Sequence, residues 1–392
     1  MRLHKVFLIL GVFILGVLAF VSVRNPRVPD SSTLESSRRN LSGRQIALSA
    51  SRFIRILPFD LGSIAWWQEC NEERQCHFIN SENPVGTAAW RIQAFSKLYL
   101  ATKNKSFLTE AKEAYAFLQR EFRQSRDVDI NLRQLYDGYL ATKDIGILNN
   151  IVGWGNYLLI DQTIFKANKD PTWRGVMLSS LIIAEWADIA SILRDAKTRE
   201  LLASVSPNRA LSSEMLEKQR DKFIGEAYRL LGSTKEKERA SSLSLLTGSD
   251  GISDNSCWLQ LAKYSLYTAT NDPTYKEELD SYFGAASFLS RDVRDIKIPA
   301  MQKILPCAEV AKNLGTEDAK YLPIFHHIME KLILPGWDGP ERPICMGNGG
   351  LNSIIQSFKK KNCTSSEKYI PDTAWLIALL ADSKQVFKLE DY

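Results

Sequence analysis

From about residue 43 onward, apolar positions recur at helical spacing almost without interruption, and no segment alternates as a half-buried strand would. The pattern predicts an all-α domain. Residues 6–23 (VFLILGVFILGVLAFVSV) are different: 18 consecutive uncharged residues, with Arg2 and Lys5 before them and Arg24 after. That length is the lower bound for a membrane-spanning helix and exceeds the apolar core of a cleaved signal peptide. The expectation is a signal anchor over residues 1–23, with a cleaved signal peptide as the alternative. Residues 24–42, rich in Arg, Ser, Asn and Pro, read as a flexible stalk. Residues 43–392 read as one helical domain.

Within that domain a short box recurs. Ala101-Thr-Lys-Asn-Lys-Ser-Phe107, Ala141-Thr-Lys-Asp-Ile-Gly-Ile147 and Ala269-Thr-Asn-Asp-Pro-Thr-Tyr275 share the order small, Thr, any, Asn or Asp, any, any, apolar. Gly315-Thr-Glu-Asp-Ala-Lys-Tyr321 fits nearly as well, and copies starting at Ile192 and Ala381 are degenerate. Such a box suits a helix-to-helix turn: a small residue ends one helix, Asn or Asp caps the next, and the apolar residue packs into its first turn. Thr87, Asp170, Asn255 and Asp372 each stand three residues before a tryptophan and read as N-caps of Trp-bearing helices. The unit is a helical hairpin. Box starts at 101, 141, 192, 269, 315 and 381 are too widely and irregularly spaced for a tandem solenoid of about 34 residues per repeat.

Six hairpins joined by variable links resemble the α/α toroid of the six-hairpin glycosidase-like superfamily. The resemblance spans roughly residues 43–392 and rests on architecture and the boxes. It implies a ring of hairpins, closed by residues 43–57, and a sugar-binding funnel at one end.

Composition narrows the chemistry. The formal charge is +5, and four of the basic residues (Arg2, Lys5, Arg24 and Arg27) precede the first acid, Asp30. Bulk charge therefore excludes a nucleic-acid binder, and the expected partners are a membrane, through residues 6–23, and a glycan. Of four histidines only His77, His326 and His327 follow the leader, and no zinc-protease pattern occurs, so neither metal nor cofactor is expected. The cysteines are even in number, as disulfides in an exported protein would require. Proximity pairs Cys70 with Cys76 and Cys345 with Cys363, leaving Cys257 for Cys307. An extracytoplasmic location follows, in keeping with three glycosylation-type triplets at Asn40, Asn104 and Asn362.

If the boxes share one end of a ring, the longer links gather at the other, together with their acids and indoles. Glycosidic cleavage needs one carboxylic acid to protonate the leaving oxygen and one carboxylate as base or nucleophile. Asp338 paired with Asp254 is the first choice, with Glu69 and Glu341 in reserve. Trp66, Trp67, Trp258 and Trp337 are candidate platforms for pyranose faces. The competing readings are ordinary turn chemistry for Asp338 and Asp254, and core packing for the indoles. At the level of the whole chain, the alternatives to a glycoside hydrolase are a helical-repeat binding protein and a toroid that has lost catalysis.

Overall fold

The three complete boxes fold into superimposable turns. In each, the third residue adopts a left-handed conformation (Lys103 φ 59°, Lys143 φ 59°, Asn271 φ 57°) and its N–H reaches the carbonyl of the residue four back: Tyr99, Tyr139 and Tyr267. The threonine hydroxyl donates to the carbonyl four residues back and accepts the N–H two residues on. The Asn or Asp carbonyl oxygen or carboxylate then caps the next helix, accepting from Ser106, Gly146 and Thr274. One helix end and one helix start are thus satisfied by two side chains and one left-handed backbone N–H, which is why the motif repeats. Asp318 caps the following turn in the same way at Gly315–Tyr321.

This computed structural model describes residues 40–57, 59–60, 63–70, 76–80, 84–122, 132–160, 173–205, 212–245, 256–285, 301–340, 348–351 and 366–389. The anchor and almost all of the stalk lie outside them. The described residues are mostly helical: α1 (Gly43–Ile56), α2 (Pro84–Thr102), α3 (Lys105–Phe122), α4 (Leu132–Thr142), α5 (Ile145–Ile160), α6 (Trp173–Arg194), α7 (Ala196–Val205), α8 (Ser213–Leu245), α9 (Ser256–Thr270), α10 (Pro273–Ala285), α11 (Leu305–Glu317), α12 (Leu322–His327) and α13 (Ile370–Leu380). A π-helical stretch, Ile328–Ile333, extends α12.

Helix contacts run from α2 to α4, α4 to α6, α6 to α9, α9 to α11, α11 to α13, and from α13 back to α2. Each of these six has a further helix against it: α3 on α2, α5 on α4, α8 on α6, α10 on α9, α12 on α11 and α1 on α13. The last pairing matters because the box after α13 leads into a strand, not a helix, so the N-terminal α1 supplies the missing half of that hairpin. A Ser42–Gln45 capping box starts α1. Close approach of α2 and α4 depends on Gly138, where a Cβ would meet Ile92 at 2.7 Å. The segment Gly175–Arg194 of α6 is long and apolar enough to cross a membrane, but two-thirds of it is buried among these helices.

Two small sheets depart from the all-α expectation. Strand β1 (Asn40–Ser42) pairs antiparallel with β6 (Val386–Lys388), joining the ends of the domain. Strands β2 (Phe59–Asp60), β3 (Ser63–Cys70), β4 (Cys76–Asn80) and β5 (Ser366–Tyr369) form a second antiparallel sheet with β3 between β4 and β5. Cys257, at the start of α9, is disulfide-bonded to Cys307, at the start of α11, as proximity predicts. Cys76 is disulfide-bonded too, and Cys70 stands across from it in the β3–β4 ladder. Cys345 and Cys363 lie outside the described residues.

Candidate functional site

Asp338 and Trp337 are placed where a substrate does not reach. Both are fully buried. Asp338 pairs with the equally buried ammonium of Lys368 on β5. Lys368 also donates to Asn348 Oδ1 at 2.9 Å, and Asn348 Nδ2 donates to Gln68 of β3 at 2.8 Å. The backbones of Asp338 and the 349–350 turn exchange two hydrogen bonds, of 2.9 and 2.7 Å, and the Trp337 indole donates to the Gly349 carbonyl at 3.1 Å. Gly349 has φ +92°, and a Cβ there would strike Ser49 of α1, so only glycine lets the turn sit against that helix. The network ties the 337–351 segment to the sheet and to α1. It is a structural lock, and a carboxylate sealed from solvent cannot meet a glycosidic oxygen unless the lock opens.

Trp258 is core as well, packed 5.4 Å from Trp375, which in turn lies 5.5 Å from Trp90. Glu69 and Trp67 lie on β3, opposite His77 and Ile79 of β4 and opposite Glu367 and Tyr369 of β5. Trp66 is on the same strand. The side chains of Trp66, Trp67 and Glu69, and all of Asp254 and Glu341, lie outside the described residues. Among the described residues, none of the candidates named from sequence lines the principal cavity.

That cavity, about 310 Å³, is lined by residues of α2, α4, α6, α9, α11 and α13, with Ile151 of α5 beside them. Its polar and charged residues sit at i, i+3 or i, i+4 on four of the helices, hence on one face of each: Gln93 and Lys97 on α2, Arg133 and Asp137 on α4, Glu185 and Asp188 on α6, Glu309 and Lys312 on α11. Tyr136, Tyr264 and Trp375 add aromatic surface. Lys97, Glu185, Asp188 and Lys312 stand in the later half of their helices, Arg133 and Glu309 in the earlier half.

Arg133 organises the polar lining. Its Nε donates to Asp188 Oδ2 at 2.5 Å and its Nη2 to Glu309 Oε1 at 2.6 Å. Glu309 also accepts the Trp375 indole N–H at 2.7 Å, and Glu185 accepts the Leu132 backbone N–H at 3.0 Å. Lys97 pairs with Asp137 at 2.8 Å, and Lys312 with Asp382 at 2.7 Å. Burial pushes the Asp188 carboxyl above its ordinary value, against the opposing pull of Arg133. Asp137 beside Lys97 holds that ammonium above its usual range despite burial. Burial likewise raises Tyr264 and Tyr136, with Glu317 adding to the first and Tyr139 to the second, so both phenols are neutral donors at physiological pH.

Sequence reading missed this constellation because it sought acids in loops. The available signal was two acids three residues apart, Glu185 and Asp188, inside the apolar run of α6. No protein-family model matches the chain, and no curated protein does.

Proposed function

We propose that α2, α4, α6, α9, α11 and α13 close into the inner ring of an α/α toroid, and that the protein is a membrane-anchored, extracytoplasmic carbohydrate-active enzyme, a glycoside hydrolase with Asp188 and Glu309 as its paired carboxyls. The cycle of contacts from α2 round to α13 and back supports the ring. The uncharged run at 6–23 supports the anchor, and the Cys257–Cys307 disulfide supports an oxidising compartment.

One observation carries the catalytic reading: two carboxyls, on α6 and α11 to either side of α9, bonded to one guanidinium and facing a polar cavity. At 2.5 and 2.6 Å from adjacent nitrogens of Arg133, their bonded oxygens lie no more than about 7.5 Å apart, a ceiling that admits the ~5–5.5 Å of retaining carboxyl pairs and only the lower part of the ~6.5–9.5 Å of inverting ones. Asp188, with its affinity for the proton raised, is the general acid that protonates the departing oxygen. Glu309, fixed by Arg133 and Trp375, is the carboxylate that activates water or attacks the anomeric carbon. Arg133 acts by holding the two in register.

The same bridge favours a second reading, a non-catalytic glycan-binding toroid, because an arginine that neutralises both acids is also a way to build a static polar floor. Release of reducing ends from a glycan panel separates the two: turnover supports the enzyme, while tight binding without turnover supports the binding protein. Neither binding nor turnover would refute both.

A further inference from the structure

The buried pair at Asp338 has a third partner. Besides pairing with Asp338, Lys368 Nζ donates to Asn348 Oδ1 at 2.9 Å. With a C=O bond of ~1.23 Å, the carboxamide carbon of Asn348 lies within about 4.1 Å of that nitrogen. A primary amine, a carboxamide and a carboxylate are therefore gathered at one point. Lys368 and Asp338 expose no side-chain surface, and the adjacent Trp337 is fully buried. The Lys368 stem and the Phe53 ring close on Gly350, where a Cβ would meet them at 2.7 and 2.9 Å.

Each group is held as acyl transfer from an amide to an amine requires. Burial disfavours the charged form of Lys368, pulling its ammonium below the ordinary value against the opposing pull of Asp338, and the neutral amine is a nucleophile. Proton exchange within the pair yields that amine and a carboxylic acid with no change in net charge. The Asn348 carbonyl oxygen, where negative charge develops on attack, already accepts from Lys368 and from the Gly350 N–H at 3.2 Å. The nitrogen that departs, Asn348 Nδ2, is held by Gln68 Oε1 at 2.8 Å. Asn348 is half-buried where the other two are sealed, which gives a small leaving group an exit.

We propose that Lys368 and Asn348 form an intramolecular isopeptide bond, with Asp338 as the proton carrier. The Lys368 Nζ lone pair attacks Asn348 Cγ, and Asp338 takes a proton from Nζ and delivers one to Nδ2. The Cγ–Nδ2 bond breaks, ammonia leaves, and a secondary amide joins β5 to the 348–351 segment. No oxidant, reductant or co-reactant is consumed. The ion pair is the state of the chain before the bond closes, and closure is slow because the neutral pair is its minor form. Asn348 precedes Gly349, and an Asn-Gly step can also lose ammonia by cyclising onto the glycine nitrogen; here the Gly349 N–H is held by the Asp338 carbonyl at 2.7 Å. The bond is independent of the cavity and of the glycan reading.

The test is the intact mass of the full chain in detergent, reduced and alkylated, on fresh protein and after days at physiological temperature. A species lighter by one ammonia should form and accumulate. Its digest should contain a branched peptide joining residues 348 and 368, uncut by trypsin at Lys368, and reduction excludes a disulfide as the link. Lys368→Met should show no loss of mass; if that variant fails to fold, the branched peptide from the wild type decides. A mass that never changes overturns the proposal. So does ammonia loss in Lys368→Met, or loss in the wild type that gives only a linear, hydroxylamine-cleavable peptide, since both mark cyclisation at Asn348–Gly349.

Discussion

Replacing Asp338 by Asn is expected to destabilise the protein by about 3–5 kcal/mol at pH 7, in keeping with the loss of one partner from a buried ion pair. The magnitude follows from the surroundings. Lys368 and Asp338 expose no side-chain surface, so neither charge gains from water when its partner is removed. Burial already pulls the Lys368 ammonium below its ordinary value, and Asp338 is what opposes that pull. Without the carboxylate the cheapest state is a neutral amine, and holding a lysine of ordinary pKa ~10.4 neutral at pH 7 costs about 4.6 kcal/mol. A domain of about 350 residues has an unfolding entropy near 0.7 kcal/mol/K, so the melting midpoint should fall by about 4–7 °C. The sign of the pH dependence is distinctive. In the variant the unfolded lysine binds a proton that the folded one does not, so the deficit should shrink by about 1.4 kcal/mol per unit as pH rises from 7 to 9. Lys368→Met alone should cost a similar amount at pH 7, while the Asp338→Asn, Lys368→Met double variant should lose far less than the two singles together. Denaturant melts of the four proteins at pH 7 and 9 measure all of this. A deficit that does not change with pH, or singles that simply add, would refute the buried-pair account of Asp338.

Other expectations concern the scaffold and the acid. Cys257→Ala, which opens a loop spanning 50 residues between α9 and α11, should cost about 4 kcal/mol on the loop-entropy model; an unchanged denaturation midpoint would contradict it. Asn104→Ala, Asp144→Ala and Asp272→Ala should each cost about 1 kcal/mol and add independently, because each removes one cap on a separate hairpin; thermal melts of singles and the triple variant check this. Asp188 holds its proton to higher pH when folded than when unfolded, so its contribution is full below the ordinary aspartate range and is lost as pH climbs through the raised folded value. Asp188→Asn should therefore flatten the pH–stability profile on that limb, and identical profiles for variant and wild type would count against the buried-acid assignment.

The repeated turns were readable in the sequence because the information is local: Thr, a left-handed residue and an Asn or Asp cap lie within a few residues of one another. The degenerate copies show where locality fails. At Ile192–Thr198 the turn is reduced to a break between α6 and α7, capped by Asp195 onto Thr198, and at Ala381–Phe387 the chain turns into β6 instead of a helix. The sheet was hidden for a related reason. Trp67 pairs with Tyr369, just over three hundred residues away, and a register shift between Ala65 and Trp67 breaks the alternation that would have marked β3. Asp338 stands beside Trp337 in the sequence, yet the residue that defines its role, Lys368, is visible only in space. The cavity acids lie on helices otherwise read as core, where a charge is expensive unless partners meet it. Arg133, which joins α4 to α6 and α11, is that partner, and its distant contacts leave no mark on periodicity.

The most direct test of the account is glycan turnover by the wild type beside Asp188→Asn and Glu309→Gln, each shown to be folded. Loss of a general acid or its partner carboxylate should lower kcat by about 10²–10⁴-fold in either variant. Asp338→Asn, once corrected for its lower stability, should retain its turnover. Unchanged kcat in both cavity variants, or loss confined to Asp338→Asn, would contradict the assignment of catalysis to the six-helix cavity.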